Sequence, residues 1–503
     1  MKLINIKYIN ILIILTFLIC LVFISANGLR GTDQYWYISA VDSYCKDINN
    51  SYMIFPYLSN YYDINSIPFP HDTAITKILG SISCSIDPYI SWISLNVICM
   101  LIIFLSTYLC CKDKGKNNNE VLLISILTIL NPATFWLLTQ PLIEIILATL
   151  LILIFTVGML IKNVVNKFLL IFFLIFFMDS IRTGYFYIAF ILSIVLFISS
   201  FYHKKNKLFY IFLILFTILY SYFYDSNTLR FSIASLAMNG ANDNGNMSLW
   251  LSYNLPTFDI ILFKNKVLLQ FFSFFSFSTL PFNFVFFFIL FILLFLLIKY
   301  FKELKTDFPT FAVFIVLMLA NVLYFTTVFI HQNQFRYQVI VLPSNILACY
   351  YIYANYSKSN LKYLSYFLFI ISFLFCISSI LLSIKSHESS FVSRKQGLEF
   401  KNKLKESRIF ESDEIIITCY NSKSIENSYY IRPTLSFVID SQGSHSYLMK
   451  SINIANSDVL ICHDGAIVNY LLDMNLYYEV FNINSVRYYL FDLSSSKIND
   501  NSN

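Results

Sequence analysis

The chain has 503 residues, of which 57% are hydrophobic and only 13% are charged, and its mean hydropathy is +0.65. A soluble domain carries about 25% charged residues, so this composition excludes an ordinary soluble enzyme and predicts a polytopic α-helical membrane protein. The formal net charge of +6 would suggest a nucleic-acid partner in a soluble protein. In a membrane protein the positions of the basic residues matter more than their sum, so we expect no nucleic-acid partner.

Apolar runs long enough to cross a bilayer recur along the chain. A hydrocarbon core of about 30 Å needs roughly 20 apolar residues per helix, and about eleven runs approach that length. The predicted spans are 4–25, 89–109, 121–138, 142–161, 168–181, 184–202, 208–224, 271–298, 311–330, 339–353 and 363–384. The first run follows Lys2 and Lys7 as a signal peptide would, but it is too long for one and is taken as an anchor.

Lysines orient these spans. With the N-terminus inside, lysine groups fall into alternate loops, near residues 112–116, 162–167, 204–207, 299–305 and 358–362. Basic residues favour the cytoplasmic side of short loops, so the parity is consistent from end to end. An odd number of spans then places the loops 27–88 and 225–265 outside. We expect a transmembrane domain over 1–384 and an extracytoplasmic domain over 385–503.

The first outer loop begins with an unusual polar and aromatic segment, residues 30–44. Thr32 can cap a surface helix whose first turn contains Asp33, and Trp36 and Tyr37 follow at a membrane boundary. An ionisable group held there is a site hypothesis by default. The alternative is that Asp33 only caps the helix and the aromatic side chains form an interfacial belt. Asp42 lies further along the same helix.

Further polar residues are predicted at the same membrane face. Glu144 lies about one turn inside the fourth span, after the turn at Gln140-Pro141, and a carboxylate at that depth needs a partner or a water-filled cavity. Arg182 follows the fifth span. The remaining candidates are His71, Asp72, Asp179, His331 and Arg336. Independent structural polar residues would be scattered over both faces, so their clustering favours a shared site.

The C-terminal 385–503 segment has a different pattern. Residues 414–419 and 458–462 are short apolar runs typical of buried strands, a helical stretch covers 466–474, and 477–481 and 488–491 are further strand candidates. We predict a small α/β domain. Cys45 with Cys84, and Cys419 with Cys462, fall in predicted outer compartments, where an oxidising periplasm permits disulfides without requiring them.

Several common motifs are absent from the sequence. There is no Gly-rich phosphate loop, Walker motif, CxxC pair or HExxH pair, which disfavours a nucleotide-driven pump and a metallohydrolase. His71 and Asp72 could bind a divalent ion together with Asp33 or Asp42, since hard cations prefer carboxylate oxygens. Nothing in the spacing selects for such a metal site, so no cofactor is assigned.

Together these features resemble the GT-C superfamily of integral-membrane glycosyltransferases. The resemblance rests on the acidic residue after the first span, the NP…QP…E pattern of residues 131–144, the R-T-G run at 182–184, the F-R-Y run at 335–337 and the α/β tail. It is nearest to bacterial and phage serotype-converting glucosyltransferases of O-antigen. It implies a sugar donor linked to polyprenyl phosphate, a glycan acceptor outside the bacterial inner membrane, and companions that synthesise and flip the donor.

The resemblance also implies roles. Asp33 would be the general base toward the acceptor hydroxyl, with Asp42 as the alternative. The leaving phosphate needs bidentate donors, which Arg182 and Arg336 supply and Lys cannot reproduce, with His331 as a second donor. Glu144 would hold acceptor hydroxyls or an arginine, although a purely structural Glu-Arg pair is about as plausible.

Three other functions compete with this interpretation. A lipid-linked sugar flippase or transporter would be expected to show related halves with Gly- or Pro-interrupted spans, and the chain has 11 glycines and no repeat. A receptor or scaffold would concentrate its distinctive polar residues in the tail rather than at span ends. An O-antigen polymerase is a nearer rival that only an assay separates from a glucosyltransferase.

Overall fold

The structure is a computed structural model that describes part of the chain at residue level. The described residues are 6–26, 37–38, 41, 74–82, 84–112, 118–182, 185–203, 206–227, 280–330, 337–356, 403, 406–407, 416–419, 436–439, 459–462, 468–469, 472–473, 476–483 and 486–492.

Helices make up most of the described chain. They are α1 (Ile6–Ser25), α2 (Ala74–Ile82), α3 (Pro88–Lys112), α4 (Asn118–Leu127), α5 (Pro132–Leu138), α6 (Glu144–Leu160), α7 (Val164–Ile181), α8 (Phe186–His203), α9 (Lys207–Asn227), α10 (Leu280–Lys299), α11 (Phe301–Leu304), α12 (Phe308–Ile330) and α13 (Gln338–Tyr356). Each predicted span from 4–25 to 339–353 coincides with one or two of these helices. The predicted span 363–384 lies outside the described residues.

Two of the described helices, α3 and α7, are long and apolar enough to cross a membrane by length and composition alone. Six more apolar helical stretches of 10–17 residues occur in α1, α6, α8, α9, α10 and α12. The predicted total of about eleven spans is not established by these lengths and stays a prediction.

The predicted third span is broken in two. It forms α4 and α5, which are separated by a turn at Thr128–Asn131. The Asn131 side chain caps both segments, because its oxygen accepts the Thr134 N–H at 2.9 Å and its amide donates to the Thr128 carbonyl at 3.0 Å. Pro132 starts α5 where a helix needs no N–H donor. At the C-terminal end of α5, the Asn96 side chain of α3 donates to the Leu138 carbonyl at 3.2 Å and so provides this carbonyl with a hydrogen-bond partner.

Charged groups mark opposite ends of α7. Near its start, the buried Lys167 lies within electrostatic range of Asp307, in the connection between α11 and α12. At its end, Arg182 is the C-cap residue. Fifteen residues separate these two side chains, which is about 22 Å along a helix. Lys167 and Arg182, which the sequence assigned to opposite membrane faces, therefore lie far apart on the same helix.

Close and polar contacts hold the helices together. Asn321 of α12 and Asn345 of α13 exchange two side-chain hydrogen bonds of 2.9 Å, and both are buried. Between α6 and α12, a Cβ added at Gly158 would lie 2.8 Å from Val313 Cγ1 and closer still to Cγ2. Glycine therefore permits the close approach of these two helices.

The C-terminal segment forms a five-stranded mixed sheet. Its strands are β1 (Ile416–Cys419), β2 (Ser436–Ile439), β3 (Val459–Cys462), β4 (Tyr478–Ile483) and β5 (Val486–Asp492), and their order is β2-β1-β3-β5-β4. β1 pairs in parallel with β2 and β3, whereas β5 pairs antiparallel with β3 and β4. The prediction of an α/β domain is confirmed, although β2 was not predicted.

Contacts divide the chain into two compact units. The first comprises Met1–Ser25, Leu95–Thr139 and Ile143–Leu381, and the second comprises Ala26–Ser94, Gln140–Leu142 and Leu382–Asn503. The first unit holds the helices that follow α3. The second combines the predicted first outer loop with the segment that contains the sheet.

Three of the four cysteines in the predicted disulfide pairs are described, namely Cys84, Cys419 and Cys462. Cys84 is disulfide-bonded, and Cys45, its predicted partner, lies outside the described residues. The β1–β3 register pairs Thr418 with Ile461, so Cys419 and Cys462 are the next residues of neighbouring strands.

Candidate active site

Four of the predicted site residues are described: Tyr37, Glu144, Asp179 and Arg182. The others lie outside the described residues, namely Asp33, Trp36, Asp42, His71, Asp72, His331 and Arg336. The described part of the candidate site lies at the helix ends of the first unit that contain Glu144 and Arg182.

Glu144 is the first residue of α6. The chain reverses after α5 through Gln140 and Pro141, and the Leu142 N–H donates to the Gln140 carbonyl at 2.9 Å. The Glu144 side chain is only 3% exposed. The N-terminal end of a helix favours a negative charge, which helps to keep a carboxylate there. A carboxylate buried in an apolar surrounding still requires a cationic partner.

Arg182 supplies that cation. It is the C-cap residue of α7, and its N–H donates to the Met178 carbonyl at 2.9 Å while its backbone turns to an extended conformation. Arg182 Nη1 lies 3.9 Å from Glu144 Oε1, and the Arg182 side chain is 24% exposed. Because Glu144 is nearly covered and Arg182 is not, an incoming anion meets the guanidinium rather than the carboxylate.

Tyr337 completes the surroundings of Arg182. The Arg182 guanidinium carbon lies 4.6 Å from the centre of the Tyr337 ring, within the range of a cation–π contact. Tyr337 is 2% exposed and directly precedes α13. The start of α6, the end of α7 and the start of α13 therefore meet at one guanidinium.

A second carboxylate, Asp179, ties the same region together. It is 2% exposed, and its Oδ1 accepts the Phe186 N–H at 3.0 Å, where α8 begins. Its Oδ2 accepts the Tyr220 hydroxyl of α9 at 3.2 Å. Tyr185 is also buried and lies within electrostatic range of Arg182, Glu144 and Asp179. Asp179 thus holds together the ends of α7, α8 and α9 beside Arg182.

This arrangement suits the binding of an oxyanion. A guanidinium presents a rigid fork of donors that matches phosphate, and a lysine ammonium does not reproduce it. Glu144 and Tyr337 restrict the conformations of Arg182, so binding an anion orders fewer side-chain states. The cluster can therefore hold or stabilise a phosphate. Its two described carboxylates are both engaged, Glu144 by Arg182 and Asp179 by the Phe186 N–H and the Tyr220 hydroxyl.

Tyr220, Tyr337 and Tyr185 were not among the predicted site residues. Tyr220 lies within the apolar run 208–224, and nothing in that run distinguishes it from other aromatic residues. Asp179 had a signal, because an acidic residue inside an apolar helix, three positions before an arginine, requires a partner. The sequence predicted Asp179 at the same face as Arg182 without predicting its hydrogen bonds.

Tyr37 belongs to the second unit. It is helical together with Ile38 and Val41, and all three side chains are buried. Its ring lies 5.3 Å from the ring of Trp92, tilted by 39°. Its predicted place in a site at the membrane boundary stays a prediction.

The described residues contain no group of three His, Cys, Asp or Glu side chains that could hold a metal ion. The residues proposed for a divalent ion lie outside that part of the chain, so the metal hypothesis stays open.

Comparison with known proteins places the fold. No protein-family model matches the chain, and no curated protein matches it in sequence. Among solved structures it is similar to ArnT from Cupriavidus metallidurans bound to undecaprenyl phosphate, with a TM-score of 0.56 and 9% identity over 97% of this chain and 98% of that chain. It is also similar to the same ArnT in the apo state, with a TM-score of 0.58 and 8% identity over 97% and 99%. The chain therefore has the fold of these ArnT structures, in a form that is mostly helical and ends in a five-stranded sheet.

Proposed function

We propose that this chain is a GT-C-type glycosyltransferase that moves a sugar from a polyprenyl-phosphate carrier to a cell-surface glycan. The fold likeness extends over nearly the whole of both chains and includes a protein bound to undecaprenyl phosphate. The observation that carries the proposal is Arg182, a partly exposed guanidinium held by Glu144 and Tyr337 where three helix ends meet. A phosphate leaving group at a membrane boundary needs such a donor.

The proposed reaction is a displacement at the anomeric carbon of the sugar. The acceptor hydroxyl attacks that carbon, and the bond from the carbon to the carrier phosphate oxygen breaks. The hydroxyl proton goes to the carboxylate of Asp33, or of Asp42 as the alternative. The bonding electrons go to the leaving phosphate, whose growing negative charge Arg182, Arg336 and His331 stabilise. Glu144 orients Arg182 in this scheme.

The finer assignment follows the sequence resemblance. The donor sugar is a hexose such as glucose, and the acceptor is O-antigen, as in serotype-converting glucosyltransferases. Transfer takes place on the periplasmic face of the bacterial inner membrane, with the N-terminus in the cytoplasm and the tail outside. The alternating lysine groups support this orientation. A companion transferase synthesises the donor and a flippase delivers it.

The test is a transfer assay in membranes that contain the full chain. Arg182→Ala should reduce transfer from a polyprenyl-phosphate glucose by at least about 100-fold, because one preorganised donor to a developing oxyanion accounts for about 2.7–4 kcal/mol. Arg182→Lys should restore only part of the rate. Arg487→Ala, which removes an exposed arginine of β5, is the matched control and should retain wild-type transfer.

Asp33→Asn tests the base in the same assay. Wild-type transfer by a correctly inserted Asp33→Asn variant would exclude Asp33 and move the assignment to Asp42. Extension of the glycan by many repeat units, instead of the addition of one sugar, would identify a polymerase and contradict the proposal. A reporter that is active only in the cytoplasm, fused after Asn503, should be silent, and activity would contradict the proposed orientation.

A further inference from the structure

An apolar groove runs between α7 and α9. Its volume is about 390 Å³, within the range of roughly 300–1,000 Å³ that ligand pockets occupy. Four side chains from each helix line it, among them Leu169, Phe173 and Phe176 of α7 and Phe212, Phe216 and Tyr220 of α9. We call this the α7–α9 groove.

The groove is apolar and accessible from the side. Its described lining consists of leucine, phenylalanine and tyrosine residues, and among these the Tyr220 hydroxyl is the one polar side-chain group. Phe173 is 65% exposed and Phe212 is 52% exposed, so the groove is open at the surface of the helices. In the proposed membrane arrangement this surface faces the lipid. A hydrocarbon chain can therefore enter from the bilayer without crossing a polar barrier.

The polar end of the groove leads to the candidate active site. Tyr220 donates its hydroxyl to Asp179 at 3.2 Å, and Asp179 precedes Arg182 by three residues on the same helix. Phe176 precedes Arg182 by six residues, which is about 9 Å along a helix. A single amphiphilic ligand can thus place an anionic group at Arg182 and its chain in the groove.

We infer that the α7–α9 groove receives the isoprenoid chain of the sugar carrier, in the part next to its phosphate. This inference rests on the proposed function. The anionic end of the carrier complements the partly exposed Arg182, and the adjoining hydrocarbon complements the aromatic walls.

The test measures binding of undecaprenyl phosphate to the full chain in detergent, by titration under native mass spectrometry. Leu169→Trp fills the groove from its open side and should weaken binding about tenfold, because an indole takes the space of buried hydrocarbon. Leu294→Trp is the matched control. Leu294 of α10 is 41% exposed, Leu169 is 43% exposed, and Leu294 does not line the groove. The control should bind within about twofold of wild type.

The outcomes separate the inference from the proposed function. If the wild type binds undecaprenyl phosphate and both tryptophan variants bind equally well, the groove assignment is overturned and the function stands. Equal weakening in both variants also overturns it, since it reports a general effect of tryptophan at the lipid surface. Equally strong binding of phosphatidylglycerol would show a site for any anionic lipid and overturn the assignment to the carrier. A wild type that binds no undecaprenyl phosphate contradicts the proposed function itself.

A conservative variant guards against misfolding. Leu169→Met nearly preserves side-chain volume and should keep wild-type affinity, because such exchanges usually cost little. If Leu169→Met elutes normally on size exclusion but loses binding, the loss cannot come from filling the groove. That result would contradict the inference.

Discussion

Disruption of the ion pair between Glu144 and Arg182 should separate a structural role of Arg182 from a catalytic one. At 3.9 Å, two unit charges at an effective dielectric constant of about 20 attract by roughly 4 kcal/mol, before the cost of desolvation. Removing Arg182 leaves the carboxylate of Glu144, 3% exposed, without its cation. Breaking a buried pair from one side costs about 3–5 kcal/mol. Because Arg182 is partly exposed, we expect the lower end, about 3 kcal/mol.

The perturbation is a double-mutant cycle of Arg182→Ala, Glu144→Gln and the two together. Arg182→Ala alone should lower the melting temperature of the detergent-solubilised protein and abolish most transfer. Adding Glu144→Gln removes the uncompensated carboxylate, so it should restore most of the lost stability. It should not restore transfer, because the guanidinium that stabilises the leaving phosphate is still missing.

The refuting results are specific. If the double variant regains both stability and wild-type transfer, Arg182 serves only to neutralise Glu144, and its role at the phosphate is wrong. If Arg182→Ala has the melting temperature of the wild type, the pair contributes nothing to stability, and the expected loss of about 3 kcal/mol is wrong. Glu144→Gln alone should retain measurable transfer, since it leaves the guanidinium in place.

Three further predictions follow from single contacts. Tyr220→Phe removes a hydroxyl that donates to the buried carboxylate of Asp179, so it should lower the free energy of unfolding by about 1–3 kcal/mol and reduce transfer. Thermal unfolding and the membrane assay measure the two effects, and no change in either would show that this hydrogen bond does not contribute to the site. Gly158→Ala should destabilise the protein by about 1–3 kcal/mol, although alanine is the better helix former, because the added Cβ would clash with Val313. Val313→Ala in the same chain should recover much of that loss. A single Gly158→Ala variant that is more stable than the wild type would show that α6 and α12 move apart at little cost. If the tail is periplasmic, Cys419 and Cys462 should form a disulfide that alkylation and mass spectrometry detect, whereas two free thiols in the mature protein would count against that compartment or that pairing.

The longer helices were predictable because the sequence is apolar over most of their length, whereas the four-residue α11 was not predicted. Predicted runs such as 168–181 and 208–224 agree with α7 and α9 within a few residues. The break between α4 and α5 was harder, since the whole 121–138 run is apolar, and Asn131 produces the break through bonds to backbone on both sides. β2 was missed because Ser436–Ile439 is only four residues long and gains its hydrogen bonds from β1.

The amino-acid sequence by itself predicted a polytopic helical membrane protein with an α/β tail, and it predicted Glu144 and Arg182 at the same membrane face. Hydropathy, the alternation of lysine-rich loops and the turn residues each depend on residues that are close in sequence, so they can be read without the tertiary structure. The tertiary structure alone decided that Arg182 meets Glu144 and Tyr337, and that Tyr220 reaches Asp179 at the end of an apolar groove. Those contacts join residues 38 to 155 positions apart, and only the packing of the helices brings them together.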